Sequence, residues 1–264
     1  MSLSYPPPDR IRAVTFDVGD TLLSAAPSVG HIYSRVCARS GVDLDPERCN
    51  GVFEEVWKRR AVTGAAGGDR FSAASRGEQG YWEDLVAEVM ADCGIDSSRV
   101  PPIAAFRAAF ASPESWRVYD EVPAILESLR GSGYELAVLS NWDSQLPLLL
   151  RRLGLDHHFT EIFVSATAGV EKPDGRFFEM AAGRMGAAPG EVLHVGDRLR
   201  EDYFGAVQAG MSALWLDRRG NGTGRGIGVD PSHVIRSLSG VLRWLESDRG
   251  GPSPRPGRPP AAPA

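Results

Sequence analysis

The sequence predicts an α/β fold, an open parallel sheet covered by helices on both faces and interrupted near its start by an all-helical insert. Three observations carry this reading. From about residue 116 onward, short apolar runs alternate with helical stripes. From about 28 to 112 only helical periodicity is present. A single strand-like run precedes that block and can join the later strands.

Taken in order, residues 1–10 contain Pro6, Pro7 and Pro8 and read as a flexible leader. Ile11 to Phe16 is the first strand; it ends in Asp17, and Gly19 and Asp20 mark a turn. Val29, Ile32, Tyr33, Val36 and Cys37 fall on one helical face. Asp45 before Pro46 is a helix start, and Cys49, Val52, Phe53, Val56 and Trp57 continue that helix. Residues 61–78, rich in Gly, Ala and Ser, predict a loop. Trp82, Leu85, Val86, Val89, Met90 and Cys93 form a third stripe, and Ile103, Phe106 and Phe110 a fourth that starts near Pro102. Beyond 116 the predicted strands are Leu136 to Leu139, Ile162 to Val164, Val192 to Val195 and Ala213 to Leu216. The helices between them are Val122 to Arg130, Gln145 to Leu153, Phe177 to Met185 and Asp202 to Ala209. Residues 217–229 read as a Gly-rich surface loop and Val234 to Leu245 as a closing helix. The tail over 248–264 is dominated by Pro, Gly and Ala and reads as disordered. The domain reading is therefore a core over 11–23 and 116–247 with a helical insert over 24–115.

Composition narrows the function classes. The chain has 264 residues, 42% of them hydrophobic, enough for a core domain and a smaller insert. The formal charge of −5 gives no basic excess of the kind that nucleic-acid binding requires. No apolar run approaches the roughly 20 residues of a membrane span. No signal-peptide apolar region is visible, and Cys37, Cys49 and Cys93 are too few and too scattered for a disulfide framework or a zinc site. These features predict a cytoplasmic protein without nucleic-acid or membrane partners; they are silent on oligomeric state.

In open parallel sheets, ligands bind beyond the carboxyl ends of the strands. Asp17 ends the first strand, Ser140 and Asn141 end another, Lys172-Pro173-Asp174 opens a helix, and Gly196-Asp197 ends a further strand with Asp202 five residues on. Carboxylates this close repel unless something neutralises them, and a hard divalent ion such as Mg2+ does so with oxygen ligands. An aspartate can attack phosphorus to give an acyl phosphate that water cleaves. Ser140, Asn141 and Lys172 are the groups to hold the charge of the transferring phosphoryl.

The stretches TFDVGDTLL around Asp17, VLSN ending at Asn141, EKPD around Lys172 and HVGDRLREDYFGA from His194 resemble, in order and spacing, the four motifs of the haloacid dehalogenase superfamily. The resemblance covers essentially residues 11–247. It implies a Rossmann-like core and a helical cap after the first motif; the gap between Asn141 and Lys172 is too short for a second cap. It further implies Asp17 as nucleophile, with Ser140 and Lys172 as its catalytic partners and Ser140, Asn141 and Lys172 holding substrate. The implied Mg2+ ligands are Asp17, the Gly19 carbonyl and Asp197, with Asp202 supporting the metal or the lysine.

One departure matters. Phosphatases of that superfamily usually carry a second Asp two residues after the nucleophile as general acid and base; here that position is Gly19, and the acid is displaced to Asp20. The expected function is a Mg2+-dependent hydrolase of a small phosphorylated molecule. The alternatives are a 2-haloacid dehalogenase, which needs no such acid, and a binding or regulatory protein on a retained hydrolase fold. The five histidines show no mutual spacing that points to a site, and Asp20 reads more readily as a turn residue than as a catalyst.

Overall fold

Strand β1 (Ala13–Phe16) is followed by β2 (Leu23–Ala25) and then by helices α1 (Val29–Arg39), α2 (Pro46–Thr63), α3 (Gly77–Asp92) and α4 (Ile103–Phe110). The chain returns through β3 (Trp116–Val118), α5 (Val122–Gly131), β4 (Glu135–Ser140), α6 (Leu146–Arg152), β5 (Glu161–Val164), α7 (Ser165–Ala168) and α8 (Gly175–Arg184). It closes with β6 (Val192–Gly196), α9 (Gly205–Gln208), β7 (Ser212–Leu216), β8 (Val234–Ile235) and α10 (Ser239–Asp248). This computed structural model describes residues 11–63, 69–71, 74, 76–220 and 228–248. The leader at 1–10, nearly all of the tail, and segments 64–68, 72–73, 75 and 221–227 of the two predicted loops lie outside the described residues.

Six strands form one parallel sheet in the order β5-β4-β1-β6-β7-β8, so β1 lies at its middle. The two faces follow from the period-two alternation of side chains. Val14, Phe16, Leu136, Val138, Leu193, Val195, Leu214 and Leu216 pack on the face covered by α5, α6 and α10. Ala13, Ala137, Leu139, Val192, Ala213 and Trp215 pack on the opposite face with Phe177 and Phe178 of α8. Because both faces are buried, these strands read as continuous apolar runs, which is why they were legible. The four helices of the insert bury a third cluster of their own, including Tyr33, Val56, Leu85, Met90 and Phe106.

Four features differ from expectation. Val234–Ile235 is not the start of the closing helix; it pairs in parallel with Trp215–Leu216 as the sixth strand, and the helix begins at Ser239. Two residues are too few to show alternation, and Ile235, Leu238, Val241 and Leu245 together mimic a helical stripe. The insert is rooted in a short antiparallel ladder, Leu23 to Ala25 against Val118 to Trp116, which the sequence did not announce. α2 extends to Thr63 and α3 starts at Gly77, which shortens the predicted loop between them. The helix predicted from Asp202 instead starts at Leu199 with a widened π-helical turn over Leu199–Phe204. Arg198 carbonyl accepts from the backbone N–H groups of both Asp202 (2.8 Å) and Tyr203 (3.3 Å).

Candidate active site

The carboxyl ends of β1, β4 and β6 bring Asp17, Ser140 and Asp197 to one edge of the sheet, and the loop before α8 delivers Lys172 between them. Lys172 is almost fully buried, and each of its three protons has an acceptor. Nζ lies 2.7 Å from Asp17 Oδ1, 2.6 Å from Asp202 Oδ1 and 2.7 Å from the Leu139 carbonyl. Ser140 Oγ donates to the same Asp17 oxygen at 3.0 Å. Among the described residues no donor reaches Asp17 Oδ2, so that oxygen has no protein partner. Asn141 points elsewhere: its side chain makes a two-way amide pair with the Lys172 backbone, donating to the carbonyl and accepting from N–H at 2.8 Å each. It holds the lysine loop in place.

Both oxygens of Asp202 have protein donors. Besides Lys172, its Oδ1 lies 3.2 Å from His194 Nε2, and its Oδ2 accepts from Arg198 N–H at 2.8 Å. His194 Nδ1 lies 2.9 Å from the hydroxyl of Thr15, its register partner on β1. Burial holds the His194 pKa below its ordinary value, so the ring is neutral. With a carboxylate at Nε2, the consistent tautomer has Nε2–H donating to Asp202 and Nδ1 accepting from Thr15. A relay of partners therefore runs Thr15, His194, Asp202, Lys172, Asp17, Ser140.

The electrostatics separate the three aspartates. Burial pushes Asp17 up to about 6, with Lys172 opposing that rise and Asp202 adding to it. Burial, reinforced by Asp17 and Asp202, drives Asp197 well above the carboxylate range. Asp202 is buried too, but Lys172 and His194 outweigh that cost and hold it below the ordinary value. Lys172 is held above its ordinary value, because Asp17 and Asp202 outweigh the burial of its ammonium.

Asp197 Oδ1 is buried and, among the described residues, has no hydrogen-bond partner. Its Oδ2 lies 3.4 Å from Arg198 Nε, while its backbone carbonyl is fixed by Trp215 Nε1 at 2.9 Å. One oxygen each of Asp17, Asp197 and Asp202 lie within 4.8 Å of one another. An orphaned buried carboxylate oxygen facing a second carboxylate fits a hard divalent cation bound through oxygen. Because the oxygens of Asp202 already have donors, Asp17 and Asp197 are the freer ligands.

The turn after Asp17 is tightly folded. The Val18 carbonyl lies within hydrogen-bond reach of Thr21, Leu22 and Leu23 N–H, and Asp20 N–H donates to the Leu23 carbonyl at 2.7 Å. Asp20 has φ 53°, the only left-handed non-glycine among the described residues, as a turn residue would. Its charge nevertheless reaches Asp197 and Arg198. Gly19 needs no positive φ, and a Cβ there would meet only Trp142, at an ordinary 3.5 Å. The missing side chain at 19 is thus not forced by the backbone.

Two contacts join the insert to loops next to site residues. Arg70 pairs with Glu171, one residue before Lys172, at 2.7 Å, with both side chains nearly buried. Glu78 at the start of α3 accepts from Ser144 N–H and Oγ at 3.1 Å each and pairs with Arg107 at 2.7 Å.

Residues 11–210 match the family described as haloacid dehalogenase-like hydrolase. The chain belongs to that family. It is 32% identical over 238 residues to haloacid dehalogenase-like hydrolase domain-containing protein 3 of Danio rerio, covering 89% of this chain and 97% of that protein. It is also 32% identical over 171 residues to a phosphoserine phosphatase of Thermus thermophilus, covering 64% and 65% of the two chains. Among solved structures, the putative hydrolase YfnB of Bacillus subtilis, bound to magnesium, superposes with a TM-score of 0.70 at 18% identity, over 90% of this chain and 99% of that one. An L-2-haloacid dehalogenase of Xanthobacter autotrophicus superposes with a TM-score of 0.63 at 21% identity, over 89% and 98%. At such identities the superpositions speak to the fold alone.

In this haloacid dehalogenase-like hydrolase, Asp17, Ser140, Lys172, Asp197 and Asp202 converge, and Asn141 braces Lys172. Two participants were not singled out in the sequence. Thr15 and His194 support Asp202 from adjacent strands, and the clue was that each opens one of the motif stretches, TFDVGDTLL and HVGDRLREDYFGA. Arg218, at the end of β7, lay in a segment read as surface loop.

Proposed function

We propose that this hydrolase is a Mg2+-dependent phosphatase acting on a small phosphorylated molecule through an aspartyl-phosphate intermediate on Asp17. The observation that supports this most is the pairing of Asp17, braced by Lys172 and Ser140 on one oxygen, with the partnerless buried oxygen of Asp197. Relatives that include a phosphoserine phosphatase and glyceraldehyde 3-phosphate phosphatases point to the same substrate class. The three unbonded, buried cysteines suit a cytoplasmic setting.

Asp17, the Gly19 carbonyl and Asp197 would hold Mg2+, with Asp202 behind them. When bound, the ion neutralises the facing carboxylates and the incoming phosphate dianion. Asp17 Oδ2 attacks phosphorus, forming an O–P bond as the bond to the leaving oxygen breaks. Lys172 and Ser140 anchor the other oxygen, so Oδ2 presents in one orientation, and the Lys172 ammonium offsets charge on the equatorial phosphoryl oxygens. Water then attacks phosphorus, releasing inorganic phosphate and the Asp17 carboxylate. Asp202 and His194 keep Lys172 charged and aimed.

The absent acid at Gly19 also suits a 2-haloacid dehalogenase, but attack on carbon leaves Asp197 without a task. The deciding experiment is a panel of phosphorylated metabolites and one 2-haloacid, assayed with Mg2+ and with a chelator. The phosphatase reading expects Mg2+-dependent phosphate release that Asp17→Asn abolishes while the fold stays intact. Halide release in the presence of chelator, with no phosphate release, would replace it.

A further inference from the structure

We propose that Arg218 is a positioning residue for the nucleophile turn: it clamps the two backbone carbonyls that follow Gly19, leaving the Gly19 carbonyl as the turn's free acceptor. Its guanidinium donates from Nε to the Asp20 carbonyl at 3.2 Å and from Nη2 to the Thr21 carbonyl at 2.7 Å. Nη1 reaches Glu121 Oε1 at 2.6 Å, and the guanidinium carbon lies 3.7 Å over the Tyr119 ring. A planar fork of fixed donors suits two successive carbonyls in a way that a lysine ammonium does not. Among the described residues, no hydrogen bond occupies the Gly19 carbonyl.

The turn needs such a clamp. Asp20 sits in the left-handed region, and the preceding residue has no side chain with which to brace itself. Within the turn, bonding converges on the Val18 and Leu23 carbonyls, so the carbonyls of Asp20 and Thr21 take their donor from outside the turn. Arg218 is itself well anchored. The preceding Asp217 donates its N–H to the Ile235 carbonyl at 2.9 Å and accepts from Arg236 at 3.0 Å, so the short sixth strand holds the base of the clamp. Tyr119 and Glu121 lie on the chain returning from the helical insert, and Tyr119 N–H donates to the Leu22 carbonyl at 3.2 Å. One side chain thus ties together the end of β7, the nucleophile turn and the root of the insert.

The consequences for metal binding and turnover rest on the phosphatase reading; the turn geometry rests on the hydrogen bonds alone. The test compares full-length wild type, Arg218→Met, which keeps the stem and removes the fork, and Arg218→Lys. Three measurements are made: hydrogen exchange of peptides covering residues 17–23, Mg2+ affinity by calorimetry, and kcat and KM on an aryl phosphate. In Arg218→Met we expect faster exchange confined to residues 18–23. We also expect a loss of about 10- to 100-fold in Mg2+ affinity and kcat, the usual effect of losing an outer support of a metal site, with KM little changed. Arg218→Lys should recover part of kcat. Unchanged exchange at 18–23 would overturn the proposal, as would faster exchange spread evenly over the chain with a matching fall in Tm. If the wild type neither binds Mg2+ nor cleaves phosphate esters, the functional reading fails, and exchange at 18–23 alone decides the clamp.

Discussion

Asp202 lies directly over Gly196: a Cβ built on Gly196 would overlap the Asp202 carboxyl carbon. The glycine before Asp197 is therefore required by a neighbour six residues on, and not by its own backbone angles. Asp202 has no room to retreat, since Lys172, His194 and Arg198 N–H hold both its oxygens. Gly196→Ala should displace that carboxylate and misplace Lys172. The expected cost is about 100-fold in kcat for a displacement near 1 Å. Overpacking should add a stability loss of about 1–3 kcal/mol. Steady-state kinetics and thermal melting check both, and a variant with wild-type kcat would show that Asp202 is not the seat of Lys172.

Lys172 is the counter-charge of two buried carboxylates. Lys172→Met should destabilise the metal-free fold at neutral pH by about 3–5 kcal/mol, because it leaves Asp17 and Asp202 uncompensated. The sign of the pH dependence follows. Without the ammonium, both carboxyls hold protons more tightly in the native state than in the unfolded chain, so the variant gains stability as pH falls. Urea unfolding at pH 5 and pH 8, in the presence of a chelator, measures this. Adding Asp202→Asn should recover part of the loss at pH 8; an equally large deficit at both pH values in the single variant would mean that packing, not charge, is what Lys172 supplies.

Much of this arrangement was legible because its elements are regular. The strands buried on both faces and the helices of the insert announced themselves by period, and Asp17, Ser140, Lys172 and Asp197 stood at ends that the pattern located. The parts that escaped are short or depend on distant partners. Val234–Ile235 pairs with β7 over only two residues, so a strand hid inside a helical stripe. Thr15 and His194 matter only because β1 and β6 are adjacent in register. Arg218 reaches a turn nearly 200 residues earlier, and no local pattern marks such a contact.

Burial raises Asp17 to about 6 and Asp197 well above its ordinary value, so protons compete with a cation for these two carboxylates. Mg2+ affinity should therefore weaken as pH falls through about 6, where Asp17 takes up its proton, and binding at lower pH should release protons to the buffer. Calorimetry in two buffers of different ionisation enthalpy reads that release directly. Equal apparent enthalpies in both buffers, with an affinity flat between pH 5 and 8, would place the ion away from these two carboxylates.

The last prediction concerns Gly19. An acid at that position normally protonates the departing oxygen, an effect of about 100- to 10,000-fold. Without it, the leaving group must carry its own negative charge. A phenolate or carboxylate can do so near neutral pH; a sugar alkoxide cannot easily. Aryl and acyl phosphates should thus be cleaved much faster than alkyl phosphates, with a steep dependence of kcat on leaving-group pKa. The rival is Asp20, whose charge is felt at Asp197 although its backbone is turned into the left-handed region. Asp20→Asn separates the two. If Asp20 is a turn residue, the steep dependence persists and aryl phosphate turnover changes little. If the wild type is flat and Asp20→Asn becomes steep, Asp20 is the acid. Gly19→Asp supplies the complementary gain of function, since a Cβ there meets only the Trp142 ring at 3.5 Å and the backbone needs no positive φ. That variant should raise alkyl phosphate turnover, leave aryl phosphate turnover nearly unchanged, and flatten the dependence on leaving-group pKa.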